Sequence, residues 1–429
     1  MYKKIVFIGF VFILAFSVSC KKKETTVPEV VFYSPHENQE FGFEDTISVH
    51  CQISDKSIIE SVKLVLVDSE LLPLGEAFYF YPGSTKFELE TEYPLGQAEI
   101  ANPNNYLLVV ADNGTNFKNK YQPVLVNILE KKLEDVVILT KVSEQQIGVS
   151  ALFPDKDSIV VKFTIDGDYA GSSLSSADGQ LHIAGTELLN LRSYRLLDYQ
   201  LEWELAPIPF FPMHNADCLH HSDLLFVANN YFNIKAYSAT GNPVFTAEIG
   251  QNEKPGRIFR FNEFLLCDMQ SKNSGPTSLV TWYVDSEKEK QRLFTIFEVV
   301  DYAPVFEDAL FLAVNTAGMG YVKMYDPQLN ELTDLAGFSE KIRSMVKTGE
   351  GEVLIAAGQD VYLYSFPGNY PQVVLPGTNA YRLKFENLSH RLYVVSGFAI
   401  DIYSFPQLDP LFHIPLNDSI LNIHFHYNK

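Results

Sequence analysis

A motif that recurs along residues 135–429 constrains the fold of this chain more than any other feature of the sequence. Each copy is an apolar strand with small residues, then a loop, then a second strand that ends in apolar-x-apolar-Tyr. The clearest copies run over residues 353–367 and 392–406. An aromatic anchor closes seven such copies, and the anchors are Phe163, Tyr194, Tyr237, Tyr283, Tyr325, Tyr364 and Tyr403.

The spacing of these anchors identifies the architecture. Successive anchors are 31, 43, 46, 42, 39 and 39 residues apart. A period of about 40 residues that holds several short strands is typical of a β-propeller. Residues 420–426 form a last strand that no further repeat follows, and we expect it to pair with the strands at 137–165 and close the ring. The sequence therefore predicts an all-β propeller over residues 135–429 with seven blades, while six or eight remain open.

The repeats resemble the broad superfamily of WD-repeat-like bacterial propellers. True WD repeats end their third strand in Trp-Asp, and neither of the two tryptophans of this chain precedes an aspartate. The paired glycines of kelch repeats are also missing. The resemblance implies a fold and no specific activity.

Residues 30–129 form a separate β-rich segment. Short alternating strands bounded by turn residues predict a β-sandwich. The strands are expected at residues 30–33, 46–53, 62–67, 86–90, 106–111 and 121–128. The Val-Phe-Tyr-Ser-Pro start and the Val-Ala-Asp-Asn-Gly end of a late strand resemble the Ig-like domains of bacterial surface lipoproteins, although Cys51 has no cysteine partner on that late strand. No residue cluster in this segment indicates chemistry.

The N-terminus predicts export. Lys3 and Lys4 precede a run of apolar residues at 5–16, which is the pattern of a secretory signal peptide. Cys20 directly follows small residues and resembles the lipidated cysteine of a bacterial lipobox, and the lysines after it resemble lipoproteins of Bacteroidota. The resemblance implies signal cleavage after residue 19, a tether over residues 20–29, and several acyl chains that together hold a stable anchor in the outer membrane. The periplasmic and the surface-facing orientation both remain open.

Charge and cysteine content narrow the partners. The chain carries 53 acidic and 33 basic residues, a formal net charge of −20. Such a surface repels phosphate backbones, so we expect no nucleic-acid partner. Apart from Cys20 the cysteines are Cys51, Cys218 and Cys267, an odd number that excludes a full disulfide framework but allows one Cys218–Cys267 bridge.

Two segments carry the candidate binding residues. His214 and His220 belong to a cluster with Asp217 and Cys218, residue types that zinc accepts, but the spacing matches no metal motif. We therefore assign these histidines a weak binding role and expect no metal or other cofactor. Phe210 and Phe211 lie in a Pro-rich loop between blades, where they either stack on a ligand or fill a groove between blades.

No catalytic motif is present: the sequence has no Gly-x-Ser-x-Gly elbow, no phosphate loop, no dinucleotide fingerprint and no His-Glu-x-x-His. We expect a non-enzymatic, membrane-anchored protein whose propeller binds or scaffolds an envelope protein or a glycan. The alternative is a glycan-active hydrolase or lyase with its site at the mouth of the propeller channel. Asp-Ser/Thr-apolar triplets at residues 45–47, 157–159 and 418–420 resemble O-glycosylation sites of Bacteroidota, and glycosylation stays open.

Overall fold

In the part of the chain that the structure describes, all regular secondary structure is β-strand. The computed structural model describes residues 26–43, 45–96, 100, 102–127, 131–153, 158–205, 215–230, 233–273, 277–368 and 370–428. Among them, no helix has the length and apolar character needed to cross a membrane. The chain divides into two compact units, Met1–Glu130 and Lys131–Lys429.

The first unit contains eight strands within the described residues, arranged as two sheets. The strands are β1 (Glu29–Ser34), β2 (Gln39–Gly42), β3 (Thr46–Ile59), β4 (Ser61–Val67), β5 (Phe78–Phe80), β6 (Ser84–Pro94), β7 (Asn104–Asp112) and β8 (Phe117–Asn127). One sheet has the order β1-β3-β6 and the other the order β2-β8-β7-β4-β5. All pairs are antiparallel except β2 with β8, which is parallel.

The core of the first unit follows from the two-residue period of its strands. Along β3, Ile47, Val49, Cys51 and Ile53 are buried, while the residues between them are more exposed. These side chains share one apolar cluster with residues of the other sheet, such as Leu64. Burial of one face of each strand is the reason that this alternation was readable in the sequence.

The second unit repeats one element seven times within its described residues: a four-stranded antiparallel sheet. The first four sheets in chain order are built from β9 (Leu133–Ser143), β10 (Gln146–Phe153), β11 (Ser158–Asp166), β12 (Gly171–Ser175), β13 (Gln180–Ala184), β14 (Leu191–Arg195), β15 (Leu201–Leu205), β16 (Asn215–His221), β17 (Leu224–Asn229), β18 (Asn233–Tyr237), β19 (Pro243–Glu248), β20 (Glu253–Phe261), β21 (Phe264–Ser271), β22 (Thr277–Tyr283) and β23 (Glu289–Thr295), with one strand added from the C-terminus. The remaining strands are β24 (Glu298–Ala303), β25 (Leu310–Thr316), β26 (Met319–Asp326), β27 (Glu331–Phe338), β28 (Ile342–Gly349), β29 (Glu352–Ala357), β30 (Asp360–Ser365), β31 (Gln372–Leu375), β32 (Arg382–Glu386), β33 (Arg391–Val395), β34 (Ala399–Ser404), β35 (Pro410–Pro415) and β36 (Ser419–Tyr427).

The C-terminal strand completes the first sheet. β36 pairs antiparallel with β9, with Ile423 opposite Ile138 and His424 opposite Val137, to give the order β11-β10-β9-β36. The pairing that the sequence predicted for residues 420–426 is therefore present. Each of the other sheets uses four consecutive strands, beginning with β12, β16, β20, β24, β28 or β32.

Neighbouring sheets meet in a cyclic order. The edge strands β12, β16, β20, β24, β28, β32 and β36, called the inner strands below, each contact the next one, and β36 contacts β12. Seven apolar clusters lie among the described residues of this unit, and each one joins two neighbouring sheets. The unit is therefore a ring of radially packed sheets, which is the organisation of a propeller.

This packing explains the recurring motif. The second strand of each sheet is covered on both faces, as in β29, where Val353 and Ile355 pack on one neighbouring sheet and Leu354 and Ala356 on the other. A strand that is buried on both faces is apolar without alternation. Among the aromatic anchors that follow, Tyr194, Tyr237, Tyr325 and Tyr364 are buried, so these four are packing residues.

Candidate functional site

The inner strands bring polar side chains to the middle of the ring. Each inner strand contributes one residue to what we call the polar layer, and these residues are Ser172, Asp217, Arg257, Asp301, Ser344, Arg382 and Asn422. Lys384 on β32 and His424 on β36 lie next to it, two residues further along their strands. Because every sheet contributes, the layer exists only once the ring is assembled.

β-Bulges position most of this layer. The register of β16, β24, β28 and β36 with the adjacent strand shifts by one residue just before Asp217, Asp301, Ser344 and Asn422. In β20 the shift includes Arg257. A bulge inserts an extra residue and turns the side chains that follow it, so it can direct a polar group away from the apolar packing between sheets.

The two carboxylates of the layer join neighbouring sheets. Asp217 accepts a hydrogen bond from the backbone N–H of Ile258 on the next inner strand, at 3.2 Å. Asp301 accepts one from the N–H of Met345 at 3.1 Å and another from the hydroxyl of Ser344 at 3.2 Å. Buried backbone donors need such partners. Both carboxylates therefore have a structural role, as links between inner strands.

The same kind of link surrounds the C-terminal strand. Asn422 donates to the hydroxyl of Ser172 at 3.1 Å and accepts from the guanidinium of Arg382 at 2.6 Å. Ser172 also bonds Nε2 of His424 at 2.7 Å and the hydroxyl of Tyr169 at 2.8 Å. β36 is thus tied to the inner strands on both sides by side chains as well as by its pairing with β9.

Three cations face the same interior. Burial first, and then the charges of Arg382 and Arg257, lower the pKa of Lys384 to about 8, against the opposing effect of Asp301 and Asp217. The pKa of Arg257 is raised, first by Asp217, whose carboxylate lies 3.4 Å from its guanidinium. Mutual influence among residues of β16, β20, β24 and β32 means that these side chains converge across the ring.

His424 is neutral in this environment. Burial lowers its pKa well below the usual value, and the positive charges of Lys384 and Arg382 lower it further. A neutral imidazole can donate one hydrogen bond and accept another. His424 is therefore a polar but uncharged member of the site at neutral pH.

A buried carboxyl group lies behind Arg257. Asp268 accepts the backbone N–H of Arg257 at 2.5 Å, and burial raises its pKa to about 7. A Cβ atom on Gly256 would lie 2.5 Å from the carboxylate oxygens of Asp268, so only glycine fits beside it. This carboxyl group changes its charge near neutral pH directly behind the polar layer.

Of the predicted binding residues, His220 is the one that the structure describes. Its Nε2 lies 3.1 Å from the carboxylate of Asp178, its ring stacks on His182, and its side chain is only 8% exposed. Burial lowers its pKa, against the opposing effect of Asp178. His220 thus contributes to packing between neighbouring sheets, and its binding role stays a prediction. Cys20, Phe210, Phe211 and His214 lie outside the described residues, and their roles stay predictions.

The other candidate metal ligands are the cysteines and one cluster of side chains on the surface. Cys51, Cys218 and Cys267 are buried free thiols, so the Cys218–Cys267 bridge that the sequence allowed does not form. In the first unit, His50 lies 2.9 Å from Glu88 and 3.7 Å from Glu90. These three side chains could hold a divalent cation, but both carboxylates are largely exposed and the histidine already has an acidic partner.

Sequence reasoning missed the polar layer. Its members differ in type and lie one to a repeat, so no local motif unites them. The available signal was a polar residue in the first strand of each repeat, such as Asp217 before the strand at 224–229, but these strands contain other polar residues as well. Reading that signal required the register of every bulge, which a repeat alignment alone does not supply.

Comparisons with known proteins support the fold. No family model matches the chain, and no curated protein matches it. Among solved structures, the chain is similar to a Quinonprotein alcohol dehydrogenase-like protein from Bacteroides thetaiotaomicron, with 11% identity, a TM-score of 0.50, and coverage of 93% of this chain and 99% of that one.

Two further structures match about two thirds of the chain. One is a protein from Lactobacillus plantarum, with 11% identity and a TM-score of 0.53, and the other is a functionally unknown protein from Desulfotomaculum acetoxidans, with 12% identity and a TM-score of 0.50. Each covers 68% of this chain and 99% of its own. At such low identity the likeness concerns architecture alone, and with the ring of sheets described above it shows that this protein is an all-β protein with a β-propeller fold.

Proposed function

We propose that the protein is an exported, lipid-anchored binding protein whose propeller has seven blades and offers a rigid surface to an envelope protein or a glycan. The observation that carries this proposal is the set of side-chain links between inner strands, such as Asp217 to Ile258 and Asp301 to Met345. These links fix the ring from inside, and rigid elements position loops for recognition.

The topology defines two candidate binding ends of the ring. Because strands alternate in direction within each sheet, the loops between second and third strands lie at the end where the inner strands begin, which we call the start end. Loops between third and fourth strands lie at the opposite, finish end. Both ends carry apolar side chains that are more than half exposed: Leu188, Ile296 and Phe398 at the start end, and Leu197, Leu329 and Tyr370 at the finish end. Exposed apolar residues of this kind favour protein or sugar contacts.

The first unit fits the role of a spacer. Its three-stranded and five-stranded sheets, with β2 parallel to β8, support an Ig-like assignment. Its apolar cluster contains no Asp, Glu, His, Lys or Arg side chain. We therefore assign recognition to the ring unit.

Cys20 is the proposed attachment point to the outer membrane. Replacement of Cys20 by Ala should abolish incorporation of labelled fatty acid and release the protein from the membrane fraction. Retention of the label in C20A would contradict lipidation at this residue, independently of what the propeller binds.

The binding proposal is tested by capture from the native envelope in mild detergent, read by mass spectrometry. Two matched triple variants carry the same added charge, L188E/I296E/F398E at the start end and L197E/L329E/Y370E at the finish end. We expect one of them to lose the captured partner and the other to retain it, which identifies the binding end.

A parallel glycan array and glycan-hydrolysis screen cover ligands that a protein capture does not detect. A glycan bound intact supports the proposal. Release of a shortened glycan by the wild-type protein would replace it with the hydrolase or lyase alternative, and no binding in any of the three assays would overturn it.

A further inference from the structure

We propose that the interior of the ring holds an anion-binding site in which Lys384, Arg382 and Arg257 receive an oxyanion, such as the carboxylate or phosphate group of a small molecule. This site rests on the polar layer alone and does not depend on the macromolecular binding proposed above.

Three positively charged side chains lie on inner strands of the ring. Lys384 and Arg382 lie on β32, whereas Arg257 lies on β20, two inner strands that are separated by β24 and β28. Arg382 donates to Asn422 on β36 at 2.6 Å, and the guanidinium of Arg257 lies 3.4 Å from Asp217 on β16, so both side chains lie along the inner strands. Both positive charges lower the pKa of Lys384. The convergence occurs in a chain with a net charge of −20, so it does not reflect a generally basic surface.

The carboxylates near Lys384 already have other hydrogen-bond partners. Asp217 already accepts the N–H of Ile258, and Asp301 accepts the N–H of Met345 and the hydroxyl of Ser344. Among the described residues, Lys384 forms no hydrogen bond and lies within ion-pair distance of no carboxylate. An ammonium group that is poorly solvated and unpaired costs free energy. An anion bound beside it would offset that cost.

The two arginines also have free hydrogen-bond donors and contact with solvent. Arg382 uses one terminal nitrogen for Asn422, which leaves further N–H groups for a planar oxyanion, the ligand that the guanidinium fork matches best. The side chain of Arg257 is 45% exposed although its strand is an inner one, so solvent reaches this side chain. Hydroxyl groups of Ser172 and Tyr169 lie close by and add hydrogen-bonding capacity.

The test measures binding of three probes, sulfate, inorganic phosphate and glucuronate, to the full chain by calorimetry, with glucose as the uncharged control. We expect saturable binding of at least one anion and none of glucose. Binding of glucuronate alone would indicate a carboxylate ligand, and binding of phosphate or sulfate would indicate a tetrahedral one.

Lys384→Met should weaken the bound anion at least tenfold, and Lys384→Arg should restore most of the affinity. Lys347→Met is the matched control: it removes the same charge from another inner strand, where Lys347 is bonded to the carbonyl of Pro304, and we expect less than a twofold change. The melting temperature of Lys384→Met should equal or exceed that of the wild type, which separates loss of the site from loss of the fold.

The pH dependence adds an independent readout. Sulfate keeps its charge between pH 7 and 9, whereas Lys384, with its pKa lowered to about 8, becomes neutral in this range. The facing groups are Arg382, Arg257, Asp301, Asp217 and His424, and His424 stays neutral because its pKa is lowered well below its usual value. Sulfate affinity should therefore fall as the pH rises. Absence of saturable binding for all three anions, or a Lys384→Met variant that binds as tightly as the wild type, would overturn the proposal.

Discussion

The two units of this protein bury polar groups in different ways. The first unit, with its two sheets around one apolar core, is called the sandwich unit below, and the second is called the ring unit. In the sandwich unit, the buried polar residues among those described are Asn105, Asn113 and Gln122, all uncharged. The ring unit buries ionisable side chains as well, including Asp217, Asp268, Glu386 and His182. A sandwich needs only two apolar faces, but a ring must also join the edges of seven inner strands. The difference teaches that buried charge in this chain accompanies ring assembly.

The chain provides a spectroscopic means of testing this contrast. Its two tryptophans, Trp203 and Trp282, both belong to the ring unit. Tryptophan fluorescence therefore follows unfolding of the ring alone, whereas far-ultraviolet circular dichroism follows both units. Substitutions in either unit can be assigned to that unit by comparing the two signals.

The largest expected effect concerns Asp268 in the ring. Its pKa of about 7 in the folded state lies above the ordinary 3.8, so the folded state binds more protons and stability falls as the pH rises from about 4 to 7. Asp268→Asn should remove that loss and stabilise the ring by up to about 4 kcal/mol at pH 8. Urea unfolding followed by tryptophan fluorescence at pH 4 and pH 8 measures the difference in the free energy of unfolding between the variant and the wild type.

The measurement at pH 4 is the internal control for Asp268→Asn, because the folded-state carboxyl group is protonated there and the unfolded-state group is only partly ionised, so most of the loss has not yet developed. Glu298 and Asp217 also face this group and remain in both proteins. An unchanged pH profile in the variant would show that Asp268 is not the titrating group.

A smaller effect is expected in the sandwich unit. Leu64→Ala removes a fully buried side chain from its apolar cluster and should cost about 3 kcal/mol. The loss should appear in circular dichroism, while the tryptophan transition stays at the wild-type urea concentration. A shift of both transitions together would mean that the units do not unfold separately, and would weaken the comparison.

The smallest effect is expected at Glu386, the last residue of the inner strand β32. Burial alone would raise the pKa of Glu386, but hydrogen bonds from Ser389, Leu388 and Tyr427 lower it. Glu386→Gln should cost about 2 kcal/mol at neutral pH, because it weakens hydrogen bonds to a charged acceptor. The exposed Glu350→Gln is the control and should leave the tryptophan transition unchanged.

The pH dependence of this effect has a defined sign. A carboxyl group with a lowered pKa stabilises the fold above its unfolded-state pKa, and this contribution is lost as the pH falls through the folded-state pKa. The difference between Glu386→Gln and the wild type should therefore shrink in acid. A difference that persists unchanged at low pH would contradict an ionised Glu386.

Much of the fold was predictable from local patterns. Alternation along residues 46–53 predicted a strand of a β-sandwich, and the apolar run at 353–357 predicted a strand of the repeat. The pairing of residues 420–426 with the start of the repeats followed from the strand left over at the end. These features depend on periods of two residues and of about 40, which a sequence displays directly.

The candidate site was not predictable in this way. His220 lies in a dense run of ligand-type residues, and the structure places its ring beside His182, while its binding role stays a prediction. Lys384 and Arg257 attracted no attention because each is a single cation in its own strand. Their proximity depends on which inner strands face each other across the ring.

The sequence by itself determined the repeat, the strands and the separation of a sandwich from a ring unit, because burial imposes its pattern on neighbouring residues. Only the tertiary structure decided where charge collects. Arg257 and Lys384 are more than a hundred residues apart, and the order of the sheets places both on inner strands of one ring. Polar contacts between distant segments leave no periodic trace in a sequence, and so they become visible only after the ring is assembled.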